Sequence, residues 1–93
     1  MLESEIVAKI QNYLRSEPEL FFWKEHGGQY GTAGIPDIIC CYKGKFIAFE
    51  VKTDIGKTTV LQQITIKRIL KAGGYAVVVR SVEEVKKIIQ ALS

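Results

Sequence analysis

Apolar residues recur at two different periods along this chain, and the switches between them mark out seven elements. Ile6, Val7, Ile10, Tyr13 and Leu14 fall at helical spacing, which predicts a helix over residues 3–16, stopped by Ser16-Glu17-Pro18. Leu20 to Lys24 is aromatic and apolar and reads as a short strand. His26 to Gly34 is a loop with four glycines in nine residues, and that density implies special backbone angles or close approach by another group. Strands follow at about 37–42 and 45–52, joined by a turn at Lys43-Gly44. Thr59-Val60-Leu61-Gln62 has the form of a capping box. It opens a helix that runs to Ala72, with Leu61, Ile64, Ile69 and Leu70 among its apolar positions, and Gly73-Gly74 ends it. Tyr75 to Arg80 is a β-branched strand, and Ser81-Val82-Glu83-Glu84 is a second capping box, before a helix carrying Val85, Ile88, Ile89 and Leu92. The order is αβββαβα. Strand, helix and strand over 45–80 predict a parallel pair with a right-handed crossover. The hairpin before it is antiparallel, so the expected fold is α/β with a mixed four-stranded sheet flanked by helices.

The strand at 45–52 carries the candidate chemistry. Side chains on a strand alternate faces. Ile47, Phe49 and Val51 therefore share one face, and Phe46, Ala48, Glu50 and Lys52 the other. Glu50 and Lys52 project side by side, with Ala48 leaving room beneath them. If Lys43-Gly44 is the turn, the preceding strand runs antiparallel and its first residue, Asp37, lies beside Glu50. Proline is tolerated at a strand start, which accounts for Pro36, whereas aspartate is depleted in strands. Two adjacent carboxylates repel unless a cation lies between them, and hard oxygen ligands suit Mg²⁺ or Mn²⁺. Lys52 then has a role as an ammonium that orients or deprotonates an attacking water, or stabilises transition-state charge. A glutamate and a lysine two apart on a strand are also an ordinary solvated face, so the aspartate is what changes the reading.

The 93 residues make one domain, 1–93, with 47% hydrophobic and 25% charged residues, as expected of a globular protein. A domain this small is marginal alone, which makes a dimer plausible on physical grounds. A net charge of +3 permits a nucleic-acid partner without requiring one. Lys67, Arg68 and Lys71 form one basic cluster, read either as a solvated helix face or as phosphate contacts. Cys40 and Cys41 are adjacent on a strand and point to opposite faces, so buried reduced thiols are expected, with no metal-type cysteine spacing. No membrane span and no signal peptide are expected, and the protein is read as intracellular. A nucleophilic serine or cysteine constellation, a P-loop and a Rossmann fingerprint are all missing from the sequence.

Gly34-Ile35-Pro36-Asp37, Phe49-Glu50-Val51-Lys52, Gln62 and Gly73-Gly74 together resemble the PD-(D/E)xK nuclease superfamily, and within it the VRR-NUC group (virus-type replication-repair nucleases) in its stand-alone short form. The resemblance covers about residues 3 to 82. It implies a restriction-endonuclease-like core and the following roles. Asp37 and Glu50 bind Mg²⁺ or Mn²⁺, with the Val51 carbonyl as a backbone ligand. Lys52 acts on the attacking water. Gln62 sits beside the cluster, although it is equally a capping residue. An acid of the first helix completes the site, Glu3 by spacing, with Glu5 as its rival. Both acids also favour the helix N-terminus by charge.

The expected activity is therefore hydrolysis of DNA phosphodiester bonds by a structure-specific endonuclease. Small stand-alone members resemble dimeric four-way-junction (Holliday-junction) resolvases, and a two-fold homodimer suits a junction of matching symmetry. With 93 residues there is little room for a separate base-reading element. Three other readings stay open: a monomeric flap or nicking nuclease, a non-catalytic DNA-binding module, and a structural domain whose acids are surface charge. Gly34, in the glycine-rich loop beside Asp37, is the expected point of entry for the DNA backbone, so Gly34→Val is expected to impair cleavage more than folding. Trp23 and Tyr30 are candidates for stacking on bases, with Trp23 read as core.

Overall fold

Lys43 and Gly44 both take positive φ, 51° and 83°, the mark of a two-residue type I′ hairpin turn whose twist matches the flanking strands. That turn fixes the register of the sheet. The computed structural model describes residues 1–26 and 33–93. Its elements are α1 (Glu3–Ser16), β1 (Leu20–Lys24), β2 (Ile38–Tyr42), β3 (Lys45–Val51), α2 (Val60–Lys71), β4 (Tyr75–Val79) and α3 (Val82–Leu92). The sheet order is β1-β2-β3-β4. β1 with β2 and β2 with β3 pair antiparallel, and β3 with β4 pairs parallel. The mixed αβββαβα architecture expected from the sequence is the one observed. Tyr30 and most of the glycine-rich loop lie outside the described residues.

The two faces of the sheet are unequal. Ile38, Cys40 and Tyr42 of β2, Ile47, Phe49 and Val51 of β3, and Val79 of β4 pack against Ile6, Val7, Ile10 and Leu14 of α1 and Val85 and Ile89 of α3. Each large apolar side chain fully buried there contributes roughly 1.5–3 kcal/mol, so this face holds the domain together. The opposite face buries a smaller apolar cluster, Ile39, Ala48 and Ala76, with Ile35, Ile66 and Ile69 partly buried against them. The alanines let α2 approach closely, but α2 itself has no buried residue. Leu61, Ile64 and Leu70, expected to be apolar contacts of this helix, are exposed, as is Val60. A helix held by so little apolar area leans on its cap. The Thr59 side chain accepts from the Gln62 N–H at 3.1 Å, and the Gln62 side chain accepts from the Thr59 N–H at 2.9 Å.

Two further expectations change. Trp23 is 45% exposed rather than core. It sits on edge strand β1 opposite Ile39, on the face that α2 covers, but α2 packs against β4 and leaves β1 open. Cys40 is buried as expected, whereas Cys41 is exposed: it shares a face with Ile39 but stands nearer the hairpin turn, opposite the exposed Phe46.

Candidate active site

Asp37 precedes β2 by one residue, and Glu50 is the sixth residue of the seven-residue β3. Ile38 pairs with Phe49, so one step further along the hairpin sets Asp37 beside Glu50, on the α2 face. The hairpin thus joins two carboxylates that stand thirteen positions apart in sequence. The same register, continued to Val51, places Pro36 opposite it. A proline has no N–H, so the ladder offers no donor to the Val51 carbonyl. The Val51 N–H turns instead to Asp37, donating to Oδ2 at 2.8 Å. Pro36 and Asp37 together convert the last rung of the sheet into an oxygen-rich end. The signal for this was in the sequence, in the proline immediately before the acid.

Glu50 is only 2% exposed and is the one buried charged residue among those described. Its Oε2 lies 3.5 Å from Lys52 Nζ, the one ion pair among the described residues. Its Oε1 is buried with no hydrogen-bond partner. A buried, unsatisfied carboxylate oxygen costs roughly 1–3 kcal/mol, so a native chain that keeps one has left room for another ligand. Burial pushes the Glu50 carboxyl up from an ordinary 4.5 to about 8; the neighbouring Asp37 carboxylate adds to this, and Lys52 opposes it. This donor set fits a hard divalent cation, since two carboxylates and a free carbonyl are oxygen ligands and a cation would relieve the repulsion that raises Glu50.

The remaining expected residues are placed as follows. Gln62 stands at the start of α2, and its Oε1 is committed to the Thr59 cap. Glu3 is exposed in the first turn of α1, which packs on the opposite face of the sheet. The Glu5 carboxylate accepts from the Leu2 N–H at 2.9 Å. Among the described residues no group of three or more His, Cys, Asp or Glu is arranged to hold a metal, so neither glutamate joins the Asp37–Glu50 pair. The first turn of α1 lies toward the same end of the sheet, where Met1 and Ile6 line a pocket with Thr53 and Arg80, but on the face away from the two carboxylates. Lys67 and Arg68 are exposed on α2. Gly34 has φ +85°, and a Cβ there would meet Leu61 Cγ and Thr65 Oγ1, each at 2.9 Å. It lies against α2, so its smallness has a packing reason.

No helix among the described residues is long and apolar enough to cross a membrane. No protein-family model matches the sequence, and no curated protein is similar enough to count as a match. Solved structures do share the fold. One, described as a VRR_NUC domain, superposes with a TM-score of 0.79 at 22% identity, over 98% of this chain and 97% of its own. A second, described as a VRR_NUC domain protein, gives 0.74 at 22% identity, over 97% of this chain and 86% of its own. The hairpin that carries the two carboxylates, the parallel crossover and the helix on either face thus form one known arrangement, and this chain is folded as a VRR_NUC domain.

Proposed function

We propose that this chain is a Mg²⁺- or Mn²⁺-dependent endonuclease that cuts branched DNA as a homodimer, in the manner of a four-way-junction resolvase. The observation that carries the reading is Glu50: a buried carboxylate with one oxygen unpartnered, held between Asp37 and Lys52. The fold shared with VRR_NUC domains supports nuclease chemistry, and the weakly basic surface permits a DNA substrate. Asp37, Glu50 and the Val51 carbonyl are the groups to hold the cation, which when bound polarises a phosphoryl oxygen and acidifies the attacking water.

The chain's own residues do the rest. Asp37 is oriented by the Val51 N–H, so its carboxylate cannot swing away from Glu50. Lys52 sits on the same face as Glu50 and is 13% exposed, open enough for its ammonium to orient the water and to offset charge developing on the phosphate. Gln62 is a proposed helper at the start of α2, free to offer its amide nitrogen while its oxygen accepts in the cap. Lys67 and Arg68 are proposed phosphate contacts along the exposed side of α2. The many exposed apolar side chains of this small domain support a subunit interface, since burying some of them would recover stability that a 93-residue domain has little of.

Cleavage of a labelled panel (four-way junction, 5′ flap, single strand, linear duplex) in Mg²⁺ and in Mn²⁺, with Lys52→Ala alongside, tests the reading. Paired symmetric cuts in the junction, lost in the mutant, are expected. Cleavage of the flap alone by a protein that elutes as a monomer would replace the resolvase with a flap nuclease. Metal-indifferent binding without cleavage would leave a DNA-binding module.

A further inference from the structure

After Val51 the strand ends, yet Lys52 stays in the sheet: its N–H donates to the Val79 carbonyl at 3.0 Å. The chain then turns back on itself, the Gly56 N–H closing on the Thr53 carbonyl at 3.1 Å. This turn lies against the Cβ of Lys52. A Cβ at Gly56 would meet Thr53 Oγ1 at 3.2 Å and Lys52 Cβ at 3.4 Å. Arg80, the first residue past β4, reaches across to the same turn. A single guanidinium nitrogen donates to the carbonyls of both Thr53 and Gly56, the second at 2.8 Å. No carboxylate lies within ion-pair distance of Arg80 among the described residues, so its bonding goes to backbone, not to an acid. The strand residues beside it, Val78 and Val79, pair with Glu50 and Val51. Arg80 therefore ties the loop after the lysine to the strand that flanks the carboxylates.

We infer that Arg80 is a positioning residue for Lys52: by pinning the Thr53–Gly56 turn onto the lysine stem, it holds the ammonium at Glu50. The lysine's long stem has several rotatable bonds, so without a wall on one side its head group would sample solvent. The turn meets the lysine at its Cβ, and Arg80 keeps that turn in place. The catalytic consequence rests on the nuclease reading above, whereas the positional one does not.

The test uses lysine labelled with ¹³C at Cε, with the Lys52 signal identified by its loss in Lys52→Ala, and cleavage assayed under single-turnover conditions over a range of pH. Three variants are compared: Arg80→Met, Arg80→Lys, and Gly56→Ala, which leaves Arg80 intact but crowds Thr53 Oγ1 within the same turn. Arg80→Met is expected to move the Lys52 signal toward that of an exposed lysine and to lower the cleavage rate at saturating DNA by about a hundredfold, the cost of a misplacement on the order of 1 Å. Its DNA affinity should change less than twofold. Arg80→Lys, which restores one charged donor, should recover part of the signal and the rate together, and Gly56→Ala should shift the same signal with Arg80 present. An unmoved Lys52 signal in folded Arg80→Met would overturn the inference, as would a weakened DNA affinity with the saturated rate unchanged, which would make Arg80 a phosphate contact. Should the wild type cut no DNA in either metal, the nuclease reading fails while the Lys52 signal still decides the position.

Discussion

Replacing Glu50 by glutamine should make the protein more stable at pH 8 and abolish its function, because this carboxylate is destabilising where it sits. Its pKa is raised from 4.5 to about 8 by burial first and by Asp37 second. With a folded-state value above the unfolded one, the native state binds the extra proton. Stability is then highest below pH 4.5 as far as this group is concerned, and falls as pH rises toward 8. At about 1.4 kcal/mol per pKa unit, the loss across that window is on the order of 3–5 kcal/mol. That is a large share of the roughly 5–15 kcal/mol available to a domain. Glutamine keeps the shape and a donor toward Asp37 but never ionises. Urea melts followed by circular dichroism at pH 5, 6, 7 and 8, in EDTA, should show the wild type losing stability across the series and Glu50→Gln nearly flat. The range stops at 8 because the buried Cys40 thiol, pushed up to about 12 from 9.0, adds a slope of the same sign at higher pH. Millimolar Mg²⁺ or Mn²⁺ at pH 8 should then restore wild-type stability, by about 2.7 kcal/mol at a hundred times the dissociation constant, and leave the mutant unchanged. Parallel slopes in the two proteins would refute the reasoning, since they would mean that Glu50 titrates as an exposed acid does.

Lys52→Ala should lower the cleavage rate by roughly 10²–10⁴-fold with DNA binding retained, measured by single-turnover cleavage beside a filter-binding titration. Gly34→Val should destabilise by about 1–3 kcal/mol from its left-handed backbone alone, and by more from contact with Leu61 and Thr65; a thermal melt checks this, and a loss of cleavage without a loss of stability would restore the idea that Gly34 admits DNA. Thr59→Ala and Gln62→Ala should each cost about 1 kcal/mol as losses of the α2 cap. If Gln62 also serves the site, only its variant should slow cleavage at a temperature where both are folded.

The Asp37–Glu50–Lys52 grouping was legible because it needs only a strand period and a hairpin turn, both local in sequence. Gln62 was legible as a cap for the same reason, since its partner Thr59 is three residues away. Arg80 was missed because an arginine at the end of a β-branched run reads as a solvated charge; its partners are 24 and 27 residues distant and no pattern links them. Glu3 stands on α1, on the face of the sheet away from Asp37 and Glu50, and periodicity along one helix does not say which face of a sheet that helix covers. Trp23 reads as core on composition, yet it and the apolar Leu61, Ile64 and Leu70 stay outward, because one twelve-residue helix cannot cover a four-stranded face.

By itself, then, the sequence determined the element order, the hairpin register and the face on which Asp37, Glu50 and Lys52 meet, since alternation and turn chemistry act between near neighbours. The tertiary structure alone decided that α1 and α3 crowd one face while α2 lightly covers the other, that Glu50 is buried with an oxygen to spare, and that a distant arginine closes the turn over Lys52. Those outcomes depend on how much area each element finds to bury and on which polar groups are left facing one another once it is buried, and both are settled only when the whole chain is packed.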